Sequence, residues 1–537
     1  MISTKQQKKN KEKTMNDKFE EALKSELKNE KTLSDNGAVM HATTGKALLD
    51  INFAVSSLRQ ASASEIEKKF ADAYFENPLL AVKWLFFSRD IRGGMGERRL
   101  FRICFAWLVN QKPAIAEKLL SLVPEYGRWD DLWMSGLEGD IWKKALDIIA
   151  DKLADDIKNA DAGKSVSLLA KWLPSVCTSS PKTKALGRKM AADLGMTERQ
   201  YRKTLSKLRA ASKVVEVGIS ANKWGEVDYN AVPSQANLKY KNAFVKHDAA
   251  RRQAWLDSLK KNDGTAKINA TAAFPSDIVH KYMTSSKHNT WNWNVMHFTE
   301  DTTLEEMWKA LPDYASSDTG KTLCVVDSSG SMTVNVGTGG VRAIDVAFAL
   351  GIYTSEKLSG PYKDKYISFS NKPKYIDMSS CKSLADKLAL SYANAECANT
   401  DLMKTMKLIL DSAVNNNLKQ EDLPSTVLVL SDMHFDQGTY NWECSYNNST
   451  LMQHIEQMYK NAGYTVPKMA WWNISANSRT VIPVQQMENG CALVSGFSPT
   501  VLKMVLSNKL DPFEALVDML NDARYDAVEK AIADIAA

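Results

Sequence analysis

The chain has 537 residues, 44% of them hydrophobic and 25% charged, with a net charge of +6. That is more than one hydrophobic core organises, so two or three domains of an ordinary globular protein are expected. No apolar run reaches the roughly 18 to 20 residues that span a bilayer, so no membrane partner is expected. The seven cysteines form no CxxC pair, which argues against a disulfide framework or a structural zinc site and fits a reducing cytoplasm.

The charge is uneven. Residues 1–319 carry 50 basic against 40 acidic side chains, residues 320–505 carry 16 of each, and the last 32 residues carry 3 against 7. An anionic partner therefore belongs with the N-terminal portion.

Taken in chain order, residues 1–37 read as a flexible, lysine-rich tail without the apolar centre of a secretory signal. Its basic charge suits either plain disorder or a nucleic-acid-binding arm. From 38 to 315 the pattern is helical: "ASEIEKKFADAYFENPLLAVKWLFFSRDI", "RRLFRICFAWLVNQKP" and "IWKKALDIIADKLADDI" repeat apolar residues every three or four positions. Pro, Gly and Asn breaks separate these segments, which predicts stacked helix pairs of solenoid type.

From about 320 to 508 short apolar runs alternate with helical patterns. "KTLCVVD", "KYISFS", "STVLVLSD", "KMAWWNI" and "GCALVSG" predict strands of a parallel sheet covered on both faces. Residues 509–537 predict an acidic C-terminal helix that folds back on the basic half. The fold class expected is multidomain α + α/β.

The stretch "CVVDSSGSM" ends a strand in Asp327-Ser328-Ser329-Gly330-Ser331. Functional loops of such sheets lie at the carboxyl ends of strands. Carboxylate and hydroxyl oxygens suit Mg²⁺, a hard cation that keeps some of its waters. Asp327, Ser329 and Ser331 are the first candidate ligands. Thr400 in "ECANTDLMK" and Asp432 in "VLVLSDMHFD" offer two more from other strand ends. The arrangement resembles the metal-ion-dependent adhesion site of von Willebrand factor A domains. That resemblance implies a Rossmann-like domain in which Ser329, Ser331 and Thr400 coordinate through hydroxyls. Asp327 and Asp432 then act directly or through water, and a sixth position receives an acidic oxygen of a partner. The departures are Asn399 and Met433, at positions where glycine is common.

Enzyme chemistry is not indicated. A phosphatase of the dehalogenase type wants an acid where Ser329 stands, no P-loop or HExxH occurs, and His434 reads as a packing residue.

In the helical half, residues 181–213 hold 10 basic and 2 acidic side chains. Lys182, Lys184, Arg188, Lys189, Arg202, Lys203, Lys207 and Arg209 are the candidates for phosphate contacts with RNA. For Arg92, Arg98, Arg99, Arg102 and Trp129, packing between helices is the expectation.

With "RGGMGERRLFR" and "VPEYGRWDDLW" followed by an A-like domain, the chain resembles the Ro autoantigen family of RNA-binding proteins. That family joins a ring of HEAT-like helical repeats, the TROVE module, to an A domain. The chain is also similar, through "LLAKWLPS", "YRKTLSKLR", "FPSDIVHKY", "SDMHFD" and "ALVSGFSPTVL", to a family of plants, bacteria and phages described as a domain of unknown function. The Ro resemblance implies a cytoplasmic, non-enzymatic ribonucleoprotein component. Its ring holds small structured or single-stranded RNA, and its A domain carries a Mg²⁺-dependent interaction site. The alternative is a scaffold that grips an acidic protein partner through the metal, with RNA incidental. A metal-dependent hydrolase ranks last, because no general base stands beside the ligands.

Overall fold

The computed structural model describes residues 31–261, 264–285, 298–315, 321–336, 340–369, 372–396, 401–435, 450–475, 480–484, 491–506 and 511–533. Most of the expected basic tail, up to residue 30, lies outside these. The chain is α + α/β: helices dominate from Ala47 to Lys309, and a six-stranded sheet follows. Among the described residues no helix is long and apolar enough to cross a membrane.

Two short strands, β1 (Lys31–Leu33) and β2 (Val39–His41), form an antiparallel hairpin. The sheet comprises β3 (Thr322–Asp327), β4 (Lys365–Phe369), β5 (Lys374–Asp377), β6 (Thr426–Ser431), β7 (Lys468–Asn473) and β8 (Cys491–Ser495). Its order is β5-β4-β3-β6-β7-β8, all parallel except β5. The five apolar runs are its parallel strands. β5 is an antiparallel edge strand with only Ile376 buried, and its polar "KYID" carries no strand pattern.

β3 is buried along its whole length, as a central strand with helices on both faces must be. The helix Ala343–Lys357 crosses from β3 to β4 and is itself almost wholly buried. Gly351 permits that approach, since a Cβ there would lie 2.6 Å from Val326 Cγ2. The chain leaves β3 toward β4 on one side and returns through β6 on the other. The carboxyl ends of β3 and β6 are therefore a topological switch point, where sheets of this kind open a crevice.

In the helical half, sequence signals set the boundaries. Ser62 caps Ala63–Glu76 by accepting from Glu65 N, and Asn77 ends that helix and caps Pro78–Arg89. The "RGGMGE" turn then folds under that helix's last turn, with Met95 N donating to Phe87 O at 3.0 Å. A Cβ at Gly94 would sit 1.9 Å from that same carbonyl oxygen, so only glycine fits there.

The two halves are joined at both ends of the helical region. At its start, helices Ala47–Phe53 and Val55–Leu58 lie against the carboxyl ends of β7 and β8. Asn473 Nδ2 donates to Phe53 O at 2.8 Å, and Gly496 N donates to Ser56 Oγ at 3.0 Å. At its end, Pro275–Ser285 packs on Ala343–Lys357, and Thr302–Lys309 meets Leu384–Ala393. Buried Glu305 makes that second joint by accepting from Leu384 N at 2.8 Å and Ala385 N at 3.1 Å.

The C-terminal helices Pro512–Leu520 and Asp526–Ile532 return onto Pro78–Arg89. There Arg524 Nη2 donates to Asp90 at 2.9 Å, and buried Lys83 reaches Asn521 at 3.0 Å and Glu529 at 2.5 Å.

Candidate functional site

Asp327 ends β3 and is fully buried. The register that sets Val326 against Leu430 brings Ser431 beside it, and Ser431 Oγ donates to Asp327 Oδ2 at 2.6 Å. Asp327 Oδ1 accepts from Ser329 N at 2.8 Å. A short 3₁₀ turn, Gly330–Thr333, follows and holds the hydroxyl oxygens of Ser329 and Ser331 3.0 Å apart.

Asp432 follows β6 and is buried, with Oδ1 accepting from His434 N at 3.1 Å. Between them Met433 adopts φ +66°, the left-handed region that glycine enters freely, while its side chain is fully buried. Methionine thus takes a left-handed conformation at a position where glycine is common. Thr400 lies outside the described residues. Its neighbour Asp401 is buried and caps Leu402–Asn415 by accepting from Lys404 N at 3.0 Å.

Burial pushes the Asp327 carboxyl up to about 7, and the negative charge of Asp432 pushes in the same direction. The hydrogen bonds from Ser431 and Ser329 oppose this shift. Two buried carboxylates of like charge thus lie near the Ser329 hydroxyl, with the half-buried Ser331 hydroxyl beside it, a set of hard oxygens of the type that binds Mg²⁺. Among the described residues no group of three or more His, Cys, Asp and Glu side chains converges for a metal.

The basic candidates sit on two adjacent helices, Pro181–Asp193 and Glu198–Ala211, the second opened by a capping box of Thr197 and Gln200. The apolar faces of Tyr201, Leu205 and Leu208 are buried. Lys182, Arg188, Lys189, Arg202, Lys203 and Lys207 are exposed, and Lys184 is half-buried. Arg188 pairs with Glu198 at 3.0 Å across the two helices, and Lys189 pairs with Asp193 at 3.1 Å beneath the Trp142 ring. Lys207 pairs with Asp161.

Arg209 differs from the rest. Its guanidinium donates to the carbonyls of Ala170 at 2.8 Å and Leu173 at 2.7 Å and to Ser175 Oγ at 2.8 Å, and burial lowers its pKa. It staples the segment 170–175 to the helix.

The other arginine-rich stretch is ion-paired between helices. Asp131, fully buried, accepts from Arg89 and Arg102, both at 2.7 Å. Asp130 serves Arg102 and Arg128, and Arg128 lies 3.8 Å from the Trp172 ring centroid. Arg99 donates to the carbonyls of Leu58 and Ala61. Arg92, Arg98 and Arg99 are exposed; partial burial and the charges of Arg128, Arg89 and Arg102 lower the Arg98 pKa to about 10.

Two contributors to the loops of Asp327 and Asp432 are not evident from the sequence motifs. Ser431 was legible as the residue before Asp432 once β3 and β6 are neighbours. The β1–β2 hairpin touches the loop after Asp432, and nothing in "KTLSDNGAVMH" signals a partner some 400 positions away.

Fold and site together define a two-part α + α/β protein whose acidic and hydroxyl side chains meet at a sheet switch point. Residues 34–132 and 140–317 match the family described as Domain of unknown function (DUF2828), and the chain belongs to that family. Residues 321–533 match a second one, Domain of unknown function (DUF7788). An uncharacterized protein of Acanthamoeba polyphaga mimivirus is 28% identical over 527 residues, covering 91% of this chain and 87% of the viral one.

Proposed function

We propose that the chain is a non-enzymatic, Ro-like RNA-binding protein of the cytoplasm. In this reading its helical half is a HEAT-like, TROVE-type ring closed by a von Willebrand factor A-like domain. The observation that carries RNA binding is the exposed basic face of the helices at 181–211. Six exposed cations there stand out beyond a buried apolar face, and the partners of Arg188, Lys189 and Lys207 are surface acids that water and phosphate displace at little cost. The anchoring of the helical region to the sheet half at both its ends supports a closed ring.

The Mg²⁺ site supports a second activity of the same molecule. Asp327, Ser329, Ser331 and Asp432, with Thr400, would hold the ion, which supplies a positive charge for an acidic oxygen of a partner. The alternative, a metal-dependent protein scaffold without RNA, is favoured by one observation: the charge imbalance at Asp327 and Asp432 is independent of the basic helices.

Fluorescence anisotropy with single-stranded and hairpin RNA, across a salt series, tests the first reading. Affinity that falls steeply with salt supports it. Failure to bind either RNA, together with a protein partner whose capture is lost in EDTA or in Asp327→Ala, favours the alternative.

A further inference from the structure

We propose that the β1–β2 hairpin is an intramolecular clamp on the loop that carries Asp432, with Ser34 and Asn36 as positioning residues for the metal centre. Hairpin docking and cation binding are then coupled. This rests on the metal reading above.

The hairpin closes on itself first: Ser34 N donates to Ala38 O at 2.9 Å, and Gly37, at φ +90°, donates to Ser34 O at 3.0 Å. That tight turn aims three successive residues at the two that follow Met433. Ser34 Oγ donates to Phe435 O at 2.5 Å, Asp35 N donates to His434 Nδ1 at 3.2 Å, and Asn36 Nδ2 donates to His434 O at 2.7 Å. The far end of the hairpin is fixed separately, by paired hydrogen bonds between His41 and Ile482 at 2.8 and 3.0 Å. Ala38 and Met40 are buried between these anchors.

The gripped loop is the one whose geometry sets the metal ligand. His434 N holds Asp432 Oδ1, and Met433 sits in the left-handed backbone region, which is uncommon for a residue with a side chain. Such strain persists only where the surroundings over-determine it, and here Ser34 and Asn36 supply hydrogen bonds just past the strained residue. Releasing them frees His434, and with it the carboxylate that His434 N orients. Groups that orient metal ligands change affinity without touching the ion. By linkage, a cation that favours the ordered loop also favours the docked hairpin.

The test uses the full chain. Isothermal titration with MgCl₂ compares wild type, the double variant Ser34→Ala/Asn36→Ala, and Asp327→Ala as the site-deleted reference. Hydrogen exchange of wild-type amides 34–41 is followed with and without Mg²⁺. The expected result is one Mg²⁺ bound by wild type, about tenfold weaker binding in the double variant, and slower exchange of those amides when Mg²⁺ is present.

Equal affinity in wild type and a folded double variant overturns the clamp and leaves the metal site standing. If the double variant does not fold, wild-type exchange that ignores Mg²⁺ overturns it instead. Wild type that binds no more Mg²⁺ than Asp327→Ala overturns the metal reading itself.

Discussion

At Asp327 three demands meet: it ends a buried strand, it accepts from Ser431 and Ser329, and it shares its surroundings with Asp432. An acid whose folded pKa is raised favours the folded state only while protonated. Metal-free protein therefore loses stability as pH rises from about 4, where the unfolded carboxyl titrates, through about 7, where the folded one does. A divalent cation bound at the proposed site would reverse that loss, because it binds the deprotonated form. Thermal melts are expected to show Mg²⁺ raising the melting temperature more at pH 8 than at pH 5. Asp327→Asn should abolish the Mg²⁺ response while raising the metal-free melting temperature at pH 8. An equal Mg²⁺ effect at both pH values would count against a carboxylate site.

At the same scale, the candidate ligands were partly legible. D-x-S-x-S after an apolar run announced the first cluster, and "LSD" after another announced Asp432. The left-handed Met433 was not legible, because nothing local favours methionine there.

The basic helices separate two kinds of arginine. Arg202 points to solvent, whereas Arg209 satisfies two carbonyls and a hydroxyl of the neighbouring segment. Arg209→Ala should cost about 1–3 kcal/mol in chemical denaturation by leaving those acceptors unpaired, with no change in the salt slope of RNA binding. The triple reversal Lys182→Glu/Arg202→Glu/Lys203→Glu should behave oppositely. The melting temperature stays, RNA affinity falls, and the slope of log affinity against log salt shrinks by about 2 for three lost phosphate contacts.

Periodicity revealed the amphipathic helix Glu198–Ala211 and the charge of its open face. It did not reveal which cation would be taken by loop carbonyls, since that depends on where residues 170–175 pass. The strands divide in the same way. The Val- and Leu-rich parallel strands were readable, while β1, β2 and β5 are only three or four residues long and held by pairing or docking.

For the whole molecule, the change of pattern near residue 320 marked the two halves, and the acidic C-terminal segment signalled that it would return to the basic one. The joints were not readable, because Ser56 with Gly496 and Lys83 with Glu529 are each more than 400 residues apart. Lys83 is buried and depends on Asn521 and Glu529, as buried Asp90 depends on Arg524. Deleting residues 511–537 strips both of their partners. Unpartnering a buried charge costs about 3–5 kcal/mol, so the truncated chain should melt earlier and exchange amide hydrogens faster along Pro78–Arg89. Unchanged protection there would contradict the dependence of Pro78–Arg89 on the C-terminal helices.

Purification at low salt, with the ratio of absorbance at 260 and 280 nm followed by sequencing of extracted RNA, tests RNA binding most directly. Defined small RNAs are expected on wild type and are expected to be lost from the Lys182→Glu/Arg202→Glu/Lys203→Glu variant. Protein free of nucleic acid that also fails to shift single-stranded and structured RNA would contradict it.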